Sequence, residues 1–134
     1  MSNGANAFGV SYAQISWASR MLQQHDNVTQ VTRTNDIQFD IERVRGAAIR
    51  MVCLNEYSCG FARVLEAQES FPSINLVYVG GNWNSYTLEA KEYCLSAQIG
   101  LFNSSEMTGA LHRNDFWTYH RKDKDGNPVY ESKD

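Results

Sequence analysis

The sequence has little proline, little cysteine and no long apolar run, and each shortage excludes a class of protein. Two prolines among 134 residues, with 43% hydrophobic residues, argue against a disordered chain or a proline-rich linker. Three cysteines cannot all pair within one chain, and their spacing matches no zinc motif. We therefore expect reduced, buried thiols at Cys53, Cys59 and Cys94. The apolar run 74–79 is far too short to span a bilayer, so no membrane partner is expected.

A surplus of basic residues is also missing. The formal net charge is −3, whereas domains that bind nucleic acid nonspecifically usually carry a strongly basic face. Local basic patches are still compatible with this composition. The first residues, Met1 to Gly4, lack the basic-then-apolar layout of a signal peptide, which predicts a cytoplasmic protein.

Apolar periodicity divides the chain into helices and strands. Helical spacing predicts helices over 12–24, 59–68 and 85–98, and a short helix capped by Ser104 or Ser105 that runs to Leu111. Apolar or β-branched stretches predict strands over 28–32, 36–44, 47–54, 74–79 and 99–102. This order predicts a single α/β domain, with a mixed central sheet and helices on both faces. Its core covers about 12–111, and 112–134 form an aromatic and charged extension with a hairpin at Asp125-Gly126.

The segment 36–44 is informative because polar and apolar residues alternate along it. Its apolar side chains, Ile37, Phe39 and Ile41, point to one face. The polar side chains on the opposite face are Asp36, Gln38, Asp40 and Glu42. This pattern predicts a strand with one buried face and one face that is either solvated or functional.

The order of elements resembles the core of the PD-(D/E)XK nucleases, and the stretch 74–111 is similar to the Mrr family of restriction endonucleases. A strand ends in the glycine pair 80–81, a helix contains the Glu-Ala pair 89–90, and the short strand 99–102 follows. The similarity covers roughly residues 12–111, and its motifs are soft patterns of apolar and small residues. The resemblance implies a three-layer sandwich of the restriction-endonuclease type. It also implies a domain that acts on or binds DNA in a defence, restriction or mobile-element system.

The resemblance further implies a metal site on the hairpin. In that family, an acidic residue on the second strand and a Glu/Gln-x-Lys triplet on the third converge on Mg²⁺, which activates water for phosphodiester cleavage. Asp40 is the best match to the family's aspartate, and Asp36 is the second choice. An Mg²⁺-dependent endonuclease of this kind would use Asp40, Asp36 and Glu56 as catalytic residues, with Asp40 and Glu56 as metal ligands.

The third strand departs from the family's pattern. We interpret 45–46 as a two-residue turn, which fixes the register of the hairpin. The opposed pairs are then Asp40 with Met51, Gln38 with Cys53, and Asp36 with Asn55. Neither Cys53 nor Asn55 supplies the anionic ligand or the cation of the family, so this register predicts an incomplete site.

A bulge that slips the third strand by one residue leaves an alternative open. It would bring Glu56 onto the face of Asp36 and Asp40, where three carboxylates could hold a metal ion. The missing lysine would then be replaced by Arg63 or Lys91 from a helix.

Three other hypotheses concern binding. Basic and aromatic side chains could contact phosphates and stack on bases, although an aromatic cluster covering the core is the competing interpretation. The candidate nucleic-acid-binding residues are Arg63, Arg113, Trp117, Arg121 and Lys122. Alternatively, a catalytically inactive module could bind a protein partner or form a homo-oligomer that buries Trp117 and Tyr119. The turn 80–82 could also bind a nucleotide. The three histidines are isolated from one another in the sequence, so they indicate no catalytic or metal-binding motif.

Overall fold

Four α-helices, one short 3-10 helix (Phe116–Thr118) and nine strands make up the computed structural model, which describes residues 4–134. The helices are α1 (Tyr12–Gln23), α2 (Phe61–Ser70), α3 (Leu88–Ser96) and α4 (Ser104–Ala110). The strands are β1 (Val28–Thr34), β2 (Gln38–Arg43), β3 (Ile49–Leu54), β4 (Ser58–Cys59), β5 (Leu76–Val79), β6 (Ser85–Tyr86), β7 (Gly100–Asn103), β8 (Arg121–Lys122) and β9 (Pro128–Val129). Within this range, none of the helices combines the length and the apolarity that crossing a membrane requires.

The central sheet is mixed and contains five strands in the order β1, β2, β3, β5, β7. Strand β2 is antiparallel to both of its neighbours, β1 and β3, whereas β3, β5 and β7 run parallel. Two small sheets accompany it, a parallel pair β4–β6 and an antiparallel pair β8–β9. The predicted α/β class with a mixed sheet is confirmed, and β8–β9 confirms the predicted final hairpin.

The helix ends show how local sequence starts each helix. Ser11 caps α1, because its hydroxyl accepts from the Gln14 amide while Gln14 Oε1 accepts from the Ser11 amide. The start of α4 differs from the prediction, because its cap is Asn103 and not a serine. Asn103 Oδ1 accepts from the amides of Ser105 and Glu106, so the last residue of β7 begins the helix directly.

The register between β2 and β3 is one residue away from the predicted register. Asp40 lies opposite Arg50, and Gln38 lies opposite Val52. The predicted pairing of Asp40 with Met51 and of Gln38 with Cys53 is therefore wrong. The described chain adopts a register slipped by one residue, but the β2–β3 ladder contains no bulge and ends before Glu56.

A clamp formed by the buried side chain of Asn27 explains this register. Asn27 Oδ1 accepts from the Arg45 amide at 3.0 Å, and Asn27 Nδ2 donates to the Arg45 carbonyl at 2.9 Å. The Val44 amide donates to the Asn27 carbonyl at 2.9 Å. These bonds centre the turn on Arg45, and Gly46 adopts a φ of 102°, which a residue with a side chain rarely takes. The predicted two-residue turn is replaced by the loop 44–48 between β2 and β3.

The hydrophobic core includes residues close to both ends of the described chain, such as Phe8 and Phe116. The three cysteines lie in this core as free thiols, and each is at most 1% exposed, as predicted. Burial raises the pKa of Cys53, Cys59 and Cys94 to about 12. The thiols therefore stay protonated in the folded protein at neutral pH.

Residues 130–134, which we call the C-terminal segment, lie along β6. Ser132 forms a parallel bridge with Tyr86, and the Lys133 amide donates to the Tyr86 carbonyl at 2.7 Å. The hydroxyls of Ser58 and Ser85 donate to carbonyl groups of the segment. The segment therefore acts as an additional strand of the small β4–β6 sheet.

Candidate ligand site at the carboxyl edge of the sheet

The three carboxylates predicted to bind metal or catalyse cleavage are each paired with an arginine. The pairs are Asp36 with Arg33 at 3.0 Å, Asp40 with Arg50 at 2.8 Å, and Glu56 with Arg63 at 3.4 Å. Within residues 4–134, no three His, Cys, Asp or Glu side chains are grouped so that they could hold a metal ion. The residues present do not fit the Mg²⁺ that the resemblance implies, because a cationic guanidinium beside each carboxylate opposes a second cation.

Asp36 has a structural environment that the strand alternation does not reveal. It lies in the turn before β2 with a φ of 69°, and it is almost fully buried. Its carboxylate accepts from the Gly4 amide at 3.0 Å, from Asn6 Nδ2 at 2.8 Å and from Arg33 Nη1 at 3.0 Å. Burial alone raises the pKa of Asp36, but these hydrogen bonds and the Arg33 charge outweigh burial and lower it below the ordinary value.

Asp40 lines a different feature, a groove of about 380 Å³ near the amino ends of β3 and β5. Arg50 Nε donates to Asp40 Oδ1, and the Arg50 amide donates to Asn75 Oδ1 at 2.8 Å. The pair is partly exposed, with Asp40 and Arg50 side chains 38% and 43% accessible. The polar groups of Asp40, Arg50 and Asn75 in this groove are therefore hydrogen-bonded to one another across the strands.

The two residues considered as replacements for the missing lysine lie elsewhere. Arg63 projects from α2, bridges Glu56 and Glu66, and stacks at 4.5 Å over the Phe8 ring. Lys91 is fully buried on α3, and its ammonium donates to the Leu101 carbonyl at 2.7 Å. Because β7 is separated from β2 by two strands, Lys91 does not reach the carboxylates of the hairpin.

The predicted nucleic-acid-binding residues are not arranged as one free basic surface. Arg113 pairs with Asp115 at 3.5 Å, and Arg121 pairs with Glu131 at 3.1 Å. Trp117 packs partly buried against the core, with its ring 5.4 Å from that of Phe116. Lys122 is exposed on β8, and Arg63 belongs to α2.

Two histidines that are distant in sequence meet in the structure. The rings of His25 and His112 are 4.3 Å apart, although the two residues are isolated from one another in the sequence. His25 Nδ1 accepts from the Asn27 amide at 3.1 Å, and Nε2 lies 2.9 Å from the Thr108 carbonyl, to which it can only donate. These bonds select the neutral tautomer with the proton on Nε2 and give His25 a packing role.

The carboxyl ends of the parallel strands β3, β5 and β7 meet at one edge of the sheet, where open α/β folds generally bind ligands. A pocket of about 280 Å³ lies there, and we call it the edge pocket. Its lining consists of Gly81, Asn82, Asn84, Asn103, Ser104, Ser105 and Glu131. The pocket therefore joins the predicted glycine turn, the start of α4 and the C-terminal segment.

Hydrogen bonds hold the lining of the edge pocket in place. Asn84 Nδ2 donates at 2.8 Å to Asn55 Oδ1 and also to the Gly80 carbonyl, which ties the ends of β3 and β5 together. Ser105 Oγ donates at 2.5 Å to Glu131 Oε2. Trp83 lies between two lining residues, and its side chain is 77% exposed. The pocket thus has ordered amide, hydroxyl and carboxylate groups beside an exposed aromatic ring.

A buried polar network lies behind the pocket. Tyr86 donates its hydroxyl to Glu106 Oε2 at 2.7 Å, and Glu106 Oε1 accepts from the Asn103 amide at 3.1 Å. The Tyr86 oxygen also accepts from the Glu131 amide at 3.2 Å. Two lining residues, Asn103 and Glu131, are therefore positioned from the core side.

Lys91 shares this part of the core. Its ammonium lies 4.2 Å from the Phe102 ring centre, 5.3 Å from that of Tyr86 and 5.6 Å from that of Tyr130. Burial lowers the pKa of Lys91 to about 8, although the nearby Glu106 charge acts in the opposite direction. Burial likewise raises the pKa of Glu106, against hydrogen bonds from Tyr86 and Asn103. Perturbed buried groups of this kind mark candidate functional sites.

Sequence reasoning identified the glycine turn of this pocket and missed most of its other residues. The spacing of Asn103 and Glu106 is a capping-box signal that could have been detected. Glu131 has no such signal, because it reaches the pocket only through the pairing of the C-terminal segment with β6. No family model, curated protein or solved structure matches this chain. The chemistry of the site is therefore the basis for a functional proposal.

The structural role of Asp36 gives a stability prediction. Asp36→Asn should lower the free energy of unfolding by about 1–3 kcal/mol, because three donors lose a charged acceptor. The matched control Asp40→Asn should change it by less than about 1 kcal/mol, since its ion pair is partly exposed. Urea denaturation at pH 7 measures both. A larger loss from Asp40→Asn than from Asp36→Asn would contradict this assignment.

The pH dependence of the Asp36 contribution follows from its depressed pKa. The stabilisation is fully present above the ordinary value of 3.8 and is lost as the pH falls below it. The difference in unfolding free energy between the native chain and Asp36→Asn should therefore shrink below about pH 4.

Lys91 gives a second prediction. The pKa of Lys91 is lowered from 10.5 to about 8, so below pH 8 the folded protein contains a buried charge. Lys91→Met should raise the free energy of unfolding by about 1–2 kcal/mol at pH 7, because burial disfavours the ammonium by more than the nearby Glu106 charge favours it. The advantage of the variant should decline as the pH rises from 8 towards 10.5, where the native lysine is neutral when folded but charged when unfolded.

Denaturant titrations of both proteins at pH 7, 8 and 9 test this prediction. The comparison removes the contributions of the cysteines and tyrosines, because both proteins contain them. A variant that is less stable than the native chain at pH 7 would show that the buried ammonium is favourable.

Proposed function

We propose that this chain is a nuclease-like α/β domain, with the three-layer sandwich of the restriction endonucleases, that binds single-stranded nucleic acid and does not cleave it with Mg²⁺. The observation that carries the proposal is the exposed Trp83 beside a polar pocket at the carboxyl edge of the sheet. Stacking on an aromatic side chain contributes about 1–3 kcal/mol per base and tolerates any sequence. Tyr57, which is 66% exposed, precedes β4 near the same edge, and the Lys133 ammonium lies 4.4 Å from its ring centre.

The carboxylates in and near the β2–β3 hairpin are the reason that we propose no Mg²⁺-dependent cleavage. Asp36, Asp40 and Glu56 are each beside an arginine, and they are not grouped as a set of oxygen ligands for a divalent cation. The mixed five-stranded sheet is compatible with a three-layer α/β fold, which the proposal takes to be the nuclease type. A cytoplasmic domain of a defence, restriction or mobile-element system, derived from a nuclease, accounts for both features.

The charge of the chain predicts how this binding responds to salt. A net charge of −3 and paired arginines favour contact with bases over contact with many phosphates. Binding to one or two phosphates gives a logarithmic salt slope of roughly −0.7 per phosphate for single strands. A shallow salt dependence is therefore expected, unlike that of a basic nucleic-acid-binding protein.

Fluorescence anisotropy with a labelled single-stranded oligonucleotide tests the binding. Trp83→Ala should weaken binding by about tenfold or more, because the stacking surface is lost. The matched control is Trp17→Ala, which removes an exposed tryptophan of α1 outside the pocket lining and should change binding little. Equal effects of the two variants, or no binding by the native chain, would refute the proposal.

The same preparations test cleavage. Single-stranded and duplex DNA should stay intact on denaturing gels when the protein is incubated with Mg²⁺ or Mn²⁺. Metal-dependent cleavage that Asp40→Ala abolishes would restore the endonuclease hypothesis.

Self-assembly is a second candidate function, and the position of β1 favours it. In the described chain, β1 lies at the end of the sheet and pairs only with β2. Its residues Thr29, Gln30 and Thr32 are exposed, and an unpaired edge can add a strand from a second copy. Trp117 and Tyr119, which we expected self-association to bury, already pack against the core of one chain.

Sedimentation velocity over a range of concentrations tests this candidate. Association should occur in the native chain, and Thr32→Lys should weaken it because a charged side chain at an edge opposes pairing. A monomer at every concentration would exclude this route.

A further inference from the structure

Two lining residues of the edge pocket, Asn84 and Glu131, present hydrogen-bond acceptors to a ligand. Both N–H groups of Asn84 are already used, on Asn55 and on the Gly80 carbonyl, so its Oδ1 is left as an acceptor. The Glu131 carboxylate accepts from Ser105, Arg121 and Asn103, and because a carboxylate has about four acceptor positions it can accept from a ligand as well. A ligand that donates hydrogen bonds, such as a pair of hydroxyls, matches these groups.

Glu131 is the charged acceptor of the pocket, and it forms an ion pair with Arg121 at 3.1 Å. Burial raises the pKa of Glu131, but hydrogen bonds from Ser105 and Arg121 outweigh burial and lower it below the ordinary value. Glu131 is therefore ionised at neutral pH, and a carboxylate accepts hydrogen bonds from hydroxyl groups strongly. The hydroxyl groups of a sugar therefore match this acceptor.

The size of the pocket limits the ligand to about one ring. Its volume of about 280 Å³ lies at the small end of the range for ligand pockets, which is roughly 300–1,000 Å³. Trp83 is not part of the lining, but it lies in the chain between the lining residues Asn82 and Asn84, and its side chain is exposed. A sugar in the pocket could thus continue into a base that stacks on the tryptophan.

We infer that the edge pocket binds the ribose of a ribonucleotide through its 2′- and 3′-hydroxyls, with Glu131 and Asn84 as acceptors and the attached base on Trp83. This inference rests on the proposed binding of single-stranded nucleic acid and specifies RNA over DNA. A carboxylate that accepts from ribose hydroxyls is a known solution for sugar recognition in nucleotide-binding folds. The 2′-hydroxyl is also the group by which proteins distinguish RNA from DNA.

Anisotropy with RNA and DNA oligonucleotides of the same sequence tests the inference on the full chain. RNA should bind at least about tenfold more tightly than DNA, the effect of one hydrogen bond to a charged acceptor. Glu131→Gln should reduce this ratio to about one while DNA affinity is retained. The control Glu92→Gln removes one exposed carboxylate of α3 and should preserve the ratio. Asn82→Ala, at an exposed lining position, provides a second variant that does not disturb the core.

Free nucleosides separate this inference from the proposed function. Adenosine should raise the melting temperature of the protein more than 2′-deoxyadenosine does, and Glu131→Gln should remove the difference. If adenosine binds in this way but neither oligonucleotide binds, the ribose site is supported and the proposed function fails.

Equal affinity for RNA and DNA, unchanged by Glu131→Gln, would overturn the ribose site and leave strand binding intact. Methyl glucoside distinguishes the other source of a ring with adjacent hydroxyls. Stabilisation by the glucoside without stabilisation by adenosine would also overturn the inference.

Discussion

The hydrogen bonds between Asn27 and the turn at Arg45 decide on which face each hairpin side chain lies. Side chains alternate along a strand, so a turn moved by one residue exchanges the two faces. With the turn centred on Arg45, Asp40 meets Arg50 across the ladder and the two charges neutralise each other. Asn27 also donates to the Leu111 carbonyl, so one buried amide connects the start of β1, the hairpin and the end of α4. Asn27, which lies outside the hairpin, therefore determines that Asp40 is paired with an arginine.

At the carboxyl edge of the sheet, buried polar groups fix the positions of the residues that line the edge pocket, much as Asn27 fixes the hairpin. Burying Lys91 and Glu106 is costly, and burial displaces both pKa values towards the neutral forms. In return, Glu106 holds the Asn103 amide and Tyr86 holds the Glu131 amide. The network thereby holds the end of β7 and the C-terminal segment in place, although the two are far apart in the sequence. The groups that line the edge pocket are therefore oriented before a ligand binds.

The sequence supported predictions where the pattern is local and strong. The periodicity of α1 and the alternation of Phe39 and Ile41 reflect burial on one side, and both are visible without a structure. The register was not predictable from the hairpin itself, because Asn27 precedes the hairpin by many residues. The sequence placed Asp36 on a polar strand face, whereas the structure buries it. Its partners Gly4 and Asn6 precede α1 and are therefore distant from it in the sequence.

The candidate site was harder to predict than the fold. The strands β4 and β6 contain two residues each, which is too short for a periodic signal. Because the C-terminal segment pairs with β6, the contribution of Glu131 to the pocket could not be read from the sequence either. The burial of Lys91 likewise depends on three aromatic rings from β6, β7 and the C-terminal segment. Only the glycine turn at Gly80 and Gly81, which directly follows a buried strand, indicated from the sequence where the edge pocket lies.

The three enclosed cysteines make the folded chain resistant to oxidation and to alkylating reagents. Their sulfur atoms are inaccessible and stay as thiols, whereas the reactive form is the thiolate. Cys53 belongs to the central strand β3, and Cys59 and Cys94 belong to β4 and α3. Cys59 and Cys94 lie close enough for the charge of one to affect the pKa of the other, so modification of Cys53 and modification of this pair require different parts of the core to open. The rates at which the three thiols react would consequently report how often separate regions of the domain unfold.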